Sequence, residues 1–380
     1  MQTVKRFYSQ YFKRKCLIQT LLSYLFKGLQ LCFDVVIIIK YNQHKLMILR
    51  KEKPMGHRSD KPKQTASQLV TKMKNEKGIR FKYTSEETAE DYLSNINNYL
   101  RTAAYRKNYQ KHTKGINKGK YIDLDFAYLQ ELSTIDMHFR FIVSKMCLDI
   151  EHALKVTMLK DIENDPSTNG YDIVETFLNQ NSYILSKLAA TSASPFTGDL
   201  IHKYFTVVHR TNPSTGKKEN CITIYNDCPA WVLLEILTFG DFIKFYEFYY
   251  SSRSFVRISS PLINLVRSLR NGAAHNNCIL ADLAHGTSHA PQELRQEVEK
   301  IKAIKKNQRK KKLSCRPMLE FTCLLYVYKT VVSEKVKLHR TNELKKLFFD
   351  RMPQKKGFFD KNELIKSNYD FACKIINAFF

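Results

Sequence analysis

Glycine and proline are scarce in this sequence, with 12 and 10 residues respectively in a chain of 380. All-β sandwiches and glycine-rich nucleotide-binding folds need more turn-forming residues than this, so the composition argues against both classes. Hydrophobic residues nonetheless make up 43% of the chain, which is enough to bury a sizeable core. We therefore predict an all-α protein.

The nine cysteines lack the pattern of a disulfide framework or a zinc site. Their number is odd, they are scattered, and no C-x-x-C motif occurs. We expect free thiols in a reducing cytoplasm. His285 and His289 have the i, i+4 spacing of helical metal ligands, but no cysteine or carboxylate partner accompanies them, and we expect neither a metal nor another cofactor.

Acidic residues are the minority charge, since 36 Asp and Glu stand against 62 Lys and Arg. The net charge of +26 favours a polyanionic partner, either nucleic acid or an anionic membrane, although a lysine-rich solvated surface would look the same. The densest basic run can follow an RNA backbone or be a solvated linker. Its cations are Lys305, Lys306, Arg309, Lys310, Lys311 and Lys312. A second basic stretch, 106–120, is accompanied by Tyr105, Tyr109 and Tyr121, which can stack bases or simply pack.

The first 54 residues differ from the rest, with 11 Lys and Arg but only two acidic residues. They contain an apolar run, 16–39, that is interrupted by Lys27 and Asp34. Each such charge costs about 2.5–3.5 kcal/mol at a bilayer centre, so a membrane span is the interpretation we favour least. A surface helix is a second interpretation. We favour a translated upstream extension, with Met55 as the natural start.

Apolar periodicity predicts a helical chain from residue 65 onward. We expect helices over 65–77, 84–104, 123–162, 171–189, 230–250, 259–269, 272–285, 291–312, 317–333, 341–351 and 361–379. A small hairpin is expected from strands 204–210 and 221–225 around a turn at 211–216. We divide the chain into an extension (1–54), an N-terminal helical region (55–120), a helical core (121–350) and a helical tail (351–380).

The segment Arg270-Asn-Gly-Ala-Ala-His275 has the residue types of a phosphate site. Arginine binds phosphate oxygens through a bidentate fork, and histidine exchanges protons near neutral pH. Five residues along one helix separate two side chains by about 140°. We therefore predict a helix break at Asn271-Gly272, with Asn271 capping a new helix so that both side chains reach one phosphate. Taken alone, the pattern can equally be a structural cap.

This segment resembles the R-x4–6-H motif of HEPN ribonucleases, in the form with asparagine after arginine. Further stretches resemble the Abi family, the bacterial abortive-infection proteins of the AbiD and AbiF type. They are Lys61-Pro62-Lys63 with Gly78-Ile79, Ser94 to Tyr105, Asp136 to Leu154, and Pro229-Ala-Trp231 through Glu235 to Phe239-Gly240. Departures from the family's pattern are Asn98, Ala104, Lys155 and Thr238. The matches follow the family's order over about 61–350.

The resemblance implies a HEPN-like helical bundle and a metal-independent endoribonuclease active in phage defence. It further implies a homodimer, because one chain carries one motif, and Arg270, His275 and Asn271 as catalytic residues. Some relatives are toxins that a small noncoding RNA holds in check, so a regulatory RNA is a candidate partner. Membrane association is not expected.

Glu235, one helical turn from Trp231, is expected to be a buried structural carboxylate. The alternative function is a non-catalytic RNA- or protein-binding module, in which the motif is a phosphate clamp or a cap.

Overall fold

The computed structural model describes residues 62–380 except 212–215, 217 and 226. The N-terminal extension, its apolar run and Met55 lie outside the described residues. Residues 65–380 form one unit. Its fifteen α-helices and one two-stranded sheet, counted over the described positions, confirm the mainly helical fold.

The N-terminal part of the described chain contains three short helices and one long helix. They are α1 (Ala66–Asn75), α2 (Glu86–Asp91, continued by a π-helical turn Tyr92–Ile96), α3 (Tyr99–Ala104, followed by a 3₁₀ turn Tyr105–Asn108) and α4 (Phe126–Glu163). Thr65 caps α1 in a reciprocal capping box with Gln68. Helix α4 confirms the predicted helix over 123–162, whose apolar stripe continues along its whole length.

The middle of the chain contains short helices and the predicted hairpin. The elements are α5 (Asp172–Gln180), α6 (Tyr183–Ala190), α7 (Gly198–Tyr204), β1 (Phe205–Thr211), β2 (Lys218–Tyr225), α8 (Ala230–Ile236) and α9 (Phe239–Ser251). The two strands pair antiparallel, from Phe205 opposite Tyr225 to Thr211 opposite Lys218, with one irregularity between Thr206 and Val207. The hairpin prediction is thereby confirmed.

The C-terminal part supplies the rest of the bundle. Its helices are α10 (Ser260–Ala274), α11 (Gln292–Glu299), α12 (Lys306–Ser314), α13 (Arg316–Val331), α14 (Glu334–Lys345, continued by a π-helical turn Lys346–Arg351 and a 3₁₀ segment Met352–Phe358) and α15 (Glu363–Phe379). Helices α4, α10 and α13 pack against one another, and α15 packs on α13. Their shared core includes Phe139, Val266, Leu269 and Phe321.

Several predicted single helices are in fact two. The predicted 84–104 is interrupted at Asn97, because the Asn98 side chain accepts a hydrogen bond from Arg101 N and starts α3. The predicted 230–250 breaks at Leu237, because Thr238 caps α9. The predicted 171–189 and 291–312 are likewise each two helices.

Candidate active site on helix α10

Helix α10 presents one apolar face to the core and a polar face outward. Leu262, Ile263, Val266, Leu269 and Ala273 are buried at helical spacing. They pack where α10 contacts α4 and α13. This packing turns the side of the helix that carries Arg267, Arg270 and Asn271 away from the core, where the three side chains are at least partly exposed.

The predicted break at Asn271-Gly272 is wrong. Helix α10 continues to Ala274, and the His275 N–H donates to the Asn271 carbonyl at 2.9 Å. The helix ends one step later in a Schellman motif, in which Asn276 adopts φ +56° and Asn277 N donates to the Gly272 carbonyl. Asn271 is therefore an exposed residue inside the helix and does not cap a new one. The buried Leu269 and Ala273 continue the apolar stripe across the Asn-Gly pair and hold it helical.

Arg270 lines a polar cleft of about 520 Å³ at the junction of four helices. Its Nη1 donates to Asn271 Oδ1 at 3.3 Å, and no carboxylate of the described chain forms an ion pair with it. The cleft residues come from α10, from α4, and from the end of α8 with the start of α9. They are Glu151, Lys155, Glu235, Leu237, Thr238, Phe239, Gly240, Arg267, Arg270 and Asn271. Three stretches that carry the family resemblance thus meet here.

Arg267, which the motif-based prediction omitted, lies one helical turn before Arg270 and faces the same cleft. Gly240 gives it room, because a Cβ at Gly240 would lie 3.0 Å from Arg267 Nη1. The i, i+3 spacing from Arg270 is the sequence signal that could have identified Arg267. The cleft accordingly holds two guanidinium groups, which suits an anionic ligand.

Two carboxylates moderate the positive charge of the cleft. Glu151 forms a partly buried ion pair with Lys155 at 3.3 Å. Glu235 is exposed at the rim, so the expectation of a buried structural carboxylate is wrong. Trp231, one turn earlier on α8, is 48% exposed and packs edge-on against Tyr171 at 5.5 Å between ring centroids.

His275 is exposed at the C-terminal end of α10 and does not line the Arg270 cleft. The helix is continuous to Ala274, so five positions of helical rotation separate the two side chains by about 140°. Within one chain they point in different directions.

The segment after His275 is held by polar contacts from α3 and α4. Arg101 donates to the backbone carbonyl of Asn276 and, at 3.2 Å, to its Oδ1. Leu280 N donates to Asp136 Oδ1 at 2.9 Å, and Asn108 Nδ2 donates to the Leu280 carbonyl at 2.9 Å. These contacts fix the direction in which the chain leaves the helix and thereby support the position of His275.

Asp136 is the centre of this network and is fully buried. It pairs with Arg140 and accepts a hydrogen bond from the Tyr105 hydroxyl at 2.8 Å. Burial raises the pKa of the Asp136 carboxyl, against the opposing effect of the Arg140 guanidinium. Burial likewise raises the pKa of Tyr105, with the neighbouring Asp136 acting in the same direction. Tyr105 is thus a core residue and is not accessible for base stacking.

The basic run forms helix α12 and does not behave as one uniform patch. Lys305, Lys306, Lys310 and Lys311 are exposed. Arg309 pairs with Glu299, and Lys312 donates to Ser367 Oγ at 2.7 Å. Burial lowers the pKa of Lys312. Of the six cations predicted to contact RNA, the four exposed lysines are therefore the ones open to a partner.

The sequence matches one family model, described as Abi-like protein, over residues 91–281. The chain belongs to this family. No curated protein and no solved structure gives a match. The Abi-like match begins at the end of α2 and includes the cleft residues of α4, α8, α9 and α10 together with His275, whereas the basic helix α12 lies beyond it. Membership supports a role in abortive-infection defence against phage.

No helix within the described ranges combines the length and the apolar character that a membrane crossing requires.

Proposed function

We propose that this Abi-like protein is a metal-independent endoribonuclease of the HEPN type that acts through Arg270 and His275. The observation that carries the proposal is the placement of the two residues on α10. Arg270 lies beside Arg267 in an open cleft, and His275 is exposed at the helix end. A guanidinium that has no carboxylate partner within the described chain is free to bind a phosphodiester.

The chemistry requires three groups around the scissile phosphate. A base removes the proton of the RNA 2′-hydroxyl, whose oxygen attacks the phosphorus, and an acid protonates the departing 5′-oxygen. His275 serves both steps by taking the proton of the 2′-hydroxyl and then giving it to the departing 5′-oxygen, and the arginines stabilise the charge that develops on the phosphorane oxygens. The 5′-oxygen–phosphorus bond breaks, and the products are a 2′,3′-cyclic phosphate and a 5′-hydroxyl.

A composite site from two chains resolves the angular separation of Arg270 and His275. In a two-fold symmetric dimer, Arg270 of one chain can meet His275 of the other at one phosphate, although the two diverge within each chain. Asn271 supports Arg270 through its Oδ1 contact at 3.3 Å. The four exposed lysines of α12 extend the RNA contact in this proposal, and a regulatory noncoding RNA is a second ligand of the same charge class.

The direct test measures the cleavage of a labelled RNA in EDTA by the wild-type protein, His275→Ala and Arg270→Ala. We expect both variants to lose cleavage by at least about 100-fold while retaining the wild-type melting temperature. His202→Ala removes an exposed histidine of α7 and is the matched control, which should retain full activity. Unchanged cleavage by His275→Ala would exclude the proposal.

The alternative function is a non-catalytic RNA-binding module in which the Arg267–Arg270 cleft is a phosphate clamp. The observation that favours it is the absence of His275 from the lining of that cleft. Product chemistry separates the two functions, because only the nuclease forms 2′,3′-cyclic phosphate ends. A module would bind RNA without turnover, and His275→Ala would leave its affinity unchanged.

A further inference from the structure

An apolar cavity of about 430 Å³ lies between α4, α13, α15 and the irregular segment that follows α14. Its walls include Ile135 and Phe139 from α4, Met318 and Phe321 from α13, and Met352 from the 3₁₀ segment. A volume of this size matches the cavities that hold small organic molecules. It is distinct from the Arg270 cleft and shares no lining residue with it.

One polar side chain of the cavity lining has an unfilled hydrogen-bonding capacity. Asn368 is 2% exposed, and its Nδ2 donates to the carbonyls of Leu283 at 3.1 Å and Leu364 at 2.8 Å. These two bonds use both amide hydrogens and so fix the orientation of the group. Asn368 Oδ1 has no hydrogen-bond partner in the described part of the chain. A buried acceptor left without a donor is unfavourable, and a donor on a bound molecule would remove this cost.

Aromatic rings form part of the cavity wall and favour an apolar ligand. Phe348 stacks on Phe321 at 5.6 Å between ring centroids and on Tyr369 at 6.3 Å, which forms a row of three nearly parallel rings. The Tyr369 hydroxyl is occupied by the Phe348 carbonyl at 2.7 Å. Phe348 itself lies in a π-helical turn, a distortion that is frequent at functional sites.

The charged residues of the lining balance one another. They are Lys356, Lys366, Asp360 and Asp370. Two cations and two anions leave the lining without net charge, and most of the remaining wall residues are apolar. The lining therefore suits a neutral molecule.

We propose that this cavity binds a neutral, largely apolar small molecule that donates one N–H or O–H hydrogen bond to Asn368 Oδ1. The proposal is independent of the nuclease chemistry, because none of the proposed catalytic residues lines the cavity.

The test uses N-phenyl-1-naphthylamine, a neutral fluorophore with a single N–H donor whose emission rises in apolar surroundings. Titration of the full-length protein should give saturable fluorescence with one site per chain. The N-methyl derivative lacks the donor and should bind about tenfold more weakly. Absence of saturable binding, or equal affinity of the two compounds, would overturn the proposal.

Two variants locate the site. Met352→Trp fills the cavity from its partly buried wall and should weaken binding at least about tenfold, whereas Leu338→Trp on the exposed face of α14 is the matched control and should not. Asn368→Leu should remove the preference for the N–H compound. Unchanged binding by Met352→Trp contradicts the proposal even where Asn368→Leu does not fold.

Discussion

Arg267 supplies a second guanidinium to the cleft that holds Arg270. In the proposed nuclease, Arg267→Ala removes one phosphate contact. The salt dependence of RNA binding, expressed as the slope of log K against log salt, should become shallower by about 0.7 for a single strand. Affinity measurements from 50 to 300 mM salt check this expectation.

Arg210→Ala in the exposed part of strand β1 is the control for loss of charge alone. This variant should show the same slope of log K against log salt as the wild type. Equal slopes for Arg267→Ala and the wild type would show that the Arg267 guanidinium does not contact RNA.

Asn276 adopts φ +56°, a conformation that residues with a β-carbon other than Asn and Asp rarely take. Asn276→Ala should therefore destabilise the protein by about 1–2 kcal/mol relative to Asn276→Gly, because glycine takes this conformation without strain. Both variants lose the Arg101 contact to Asn276 Oδ1, so their difference isolates the backbone effect. Urea unfolding of the pair measures it, and equal stabilities would contradict the role of Asn276 as the helix terminator.

At the scale of elements, the carboxylate of Asp136 ties helix α4 to the segment after α10. Asp136→Ala leaves Arg140 buried, at 6% exposure, without its partner. A buried charge stripped of its partner costs about 3–5 kcal/mol, so we expect a loss of that size in the free energy of unfolding. Lys145→Ala removes a surface ion pair of the same helix, with Glu343, and should cost at most about 1 kcal/mol. A similar loss for the two variants would refute the role of the buried network.

The positions of capping side chains decide how well the helix boundaries can be predicted from the sequence. The long helix α4 follows from an uninterrupted apolar stripe. Asn98 and Thr238 lie inside such stripes, so the periodicity conceals the helix ends that they cap. At Asn271-Gly272 the opposite error occurs, because a pair that favours turns is held helical by the packing of its neighbours.

In the candidate site, too, some features can be predicted from local sequence and others depend on tertiary packing. Arg270 and His275 are visible as a local motif, and Arg267 could have been found from its spacing. The cleft itself depends on the packing that brings Glu151 of α4 beside Glu235 and Gly240, which lie more than 80 residues later in the chain. No local pattern reports such contacts, and for the same reason the exposure of Glu235 was not predicted.

At the scale of the whole molecule, the proposed composite site makes a complementation experiment possible. Arg270→Ala and His275→Ala are each inactive in this proposal, but in a mixture the heterodimer contains one intact pair, with Arg270 from one chain and His275 from the other. Cleavage should return to about a quarter of the wild-type rate after subunit exchange.

Light scattering should give twice the chain mass for the wild type and both variants. An inactive mixture of exchanging dimers would show that Arg270 and His275 do not act across chains.

Acid stability of the fold depends on two ion pairs near the end of α4. Asp165 pairs with Arg253 at 2.6 Å and Asp161 with Arg257 at 2.8 Å. A hydrogen bond from Ser167, together with Arg253, lowers the pKa of Asp165. Burial acts to raise the pKa of Asp161, but the Arg257 and Tyr250 hydrogen bonds outweigh it and lower that pKa as well.

Because both folded pKa values lie below their unfolded values, the stabilisation is present above about pH 4 and is lost as the pH falls through the folded values. The double variant Asp161→Asn with Asp165→Asn should be less stable at pH 7, and its stability should change less between pH 4 and lower pH. Unfolding monitored by circular dichroism across this range tests the sign.

Because α10 is unbroken, the backbone positions of Arg270 and His275 are fixed relative to each other. Five helical steps set an axial offset of about 7.5 Å between their Cα atoms, and the helix also sets the angle between the directions in which the two side chains leave the backbone. One alanine inserted after Gly272 would keep every functional group, yet would turn His275 by about 100° and advance it by about 1.5 Å. Evolution can therefore retune such a site by changing the number of residues in the interval as effectively as by changing their identity.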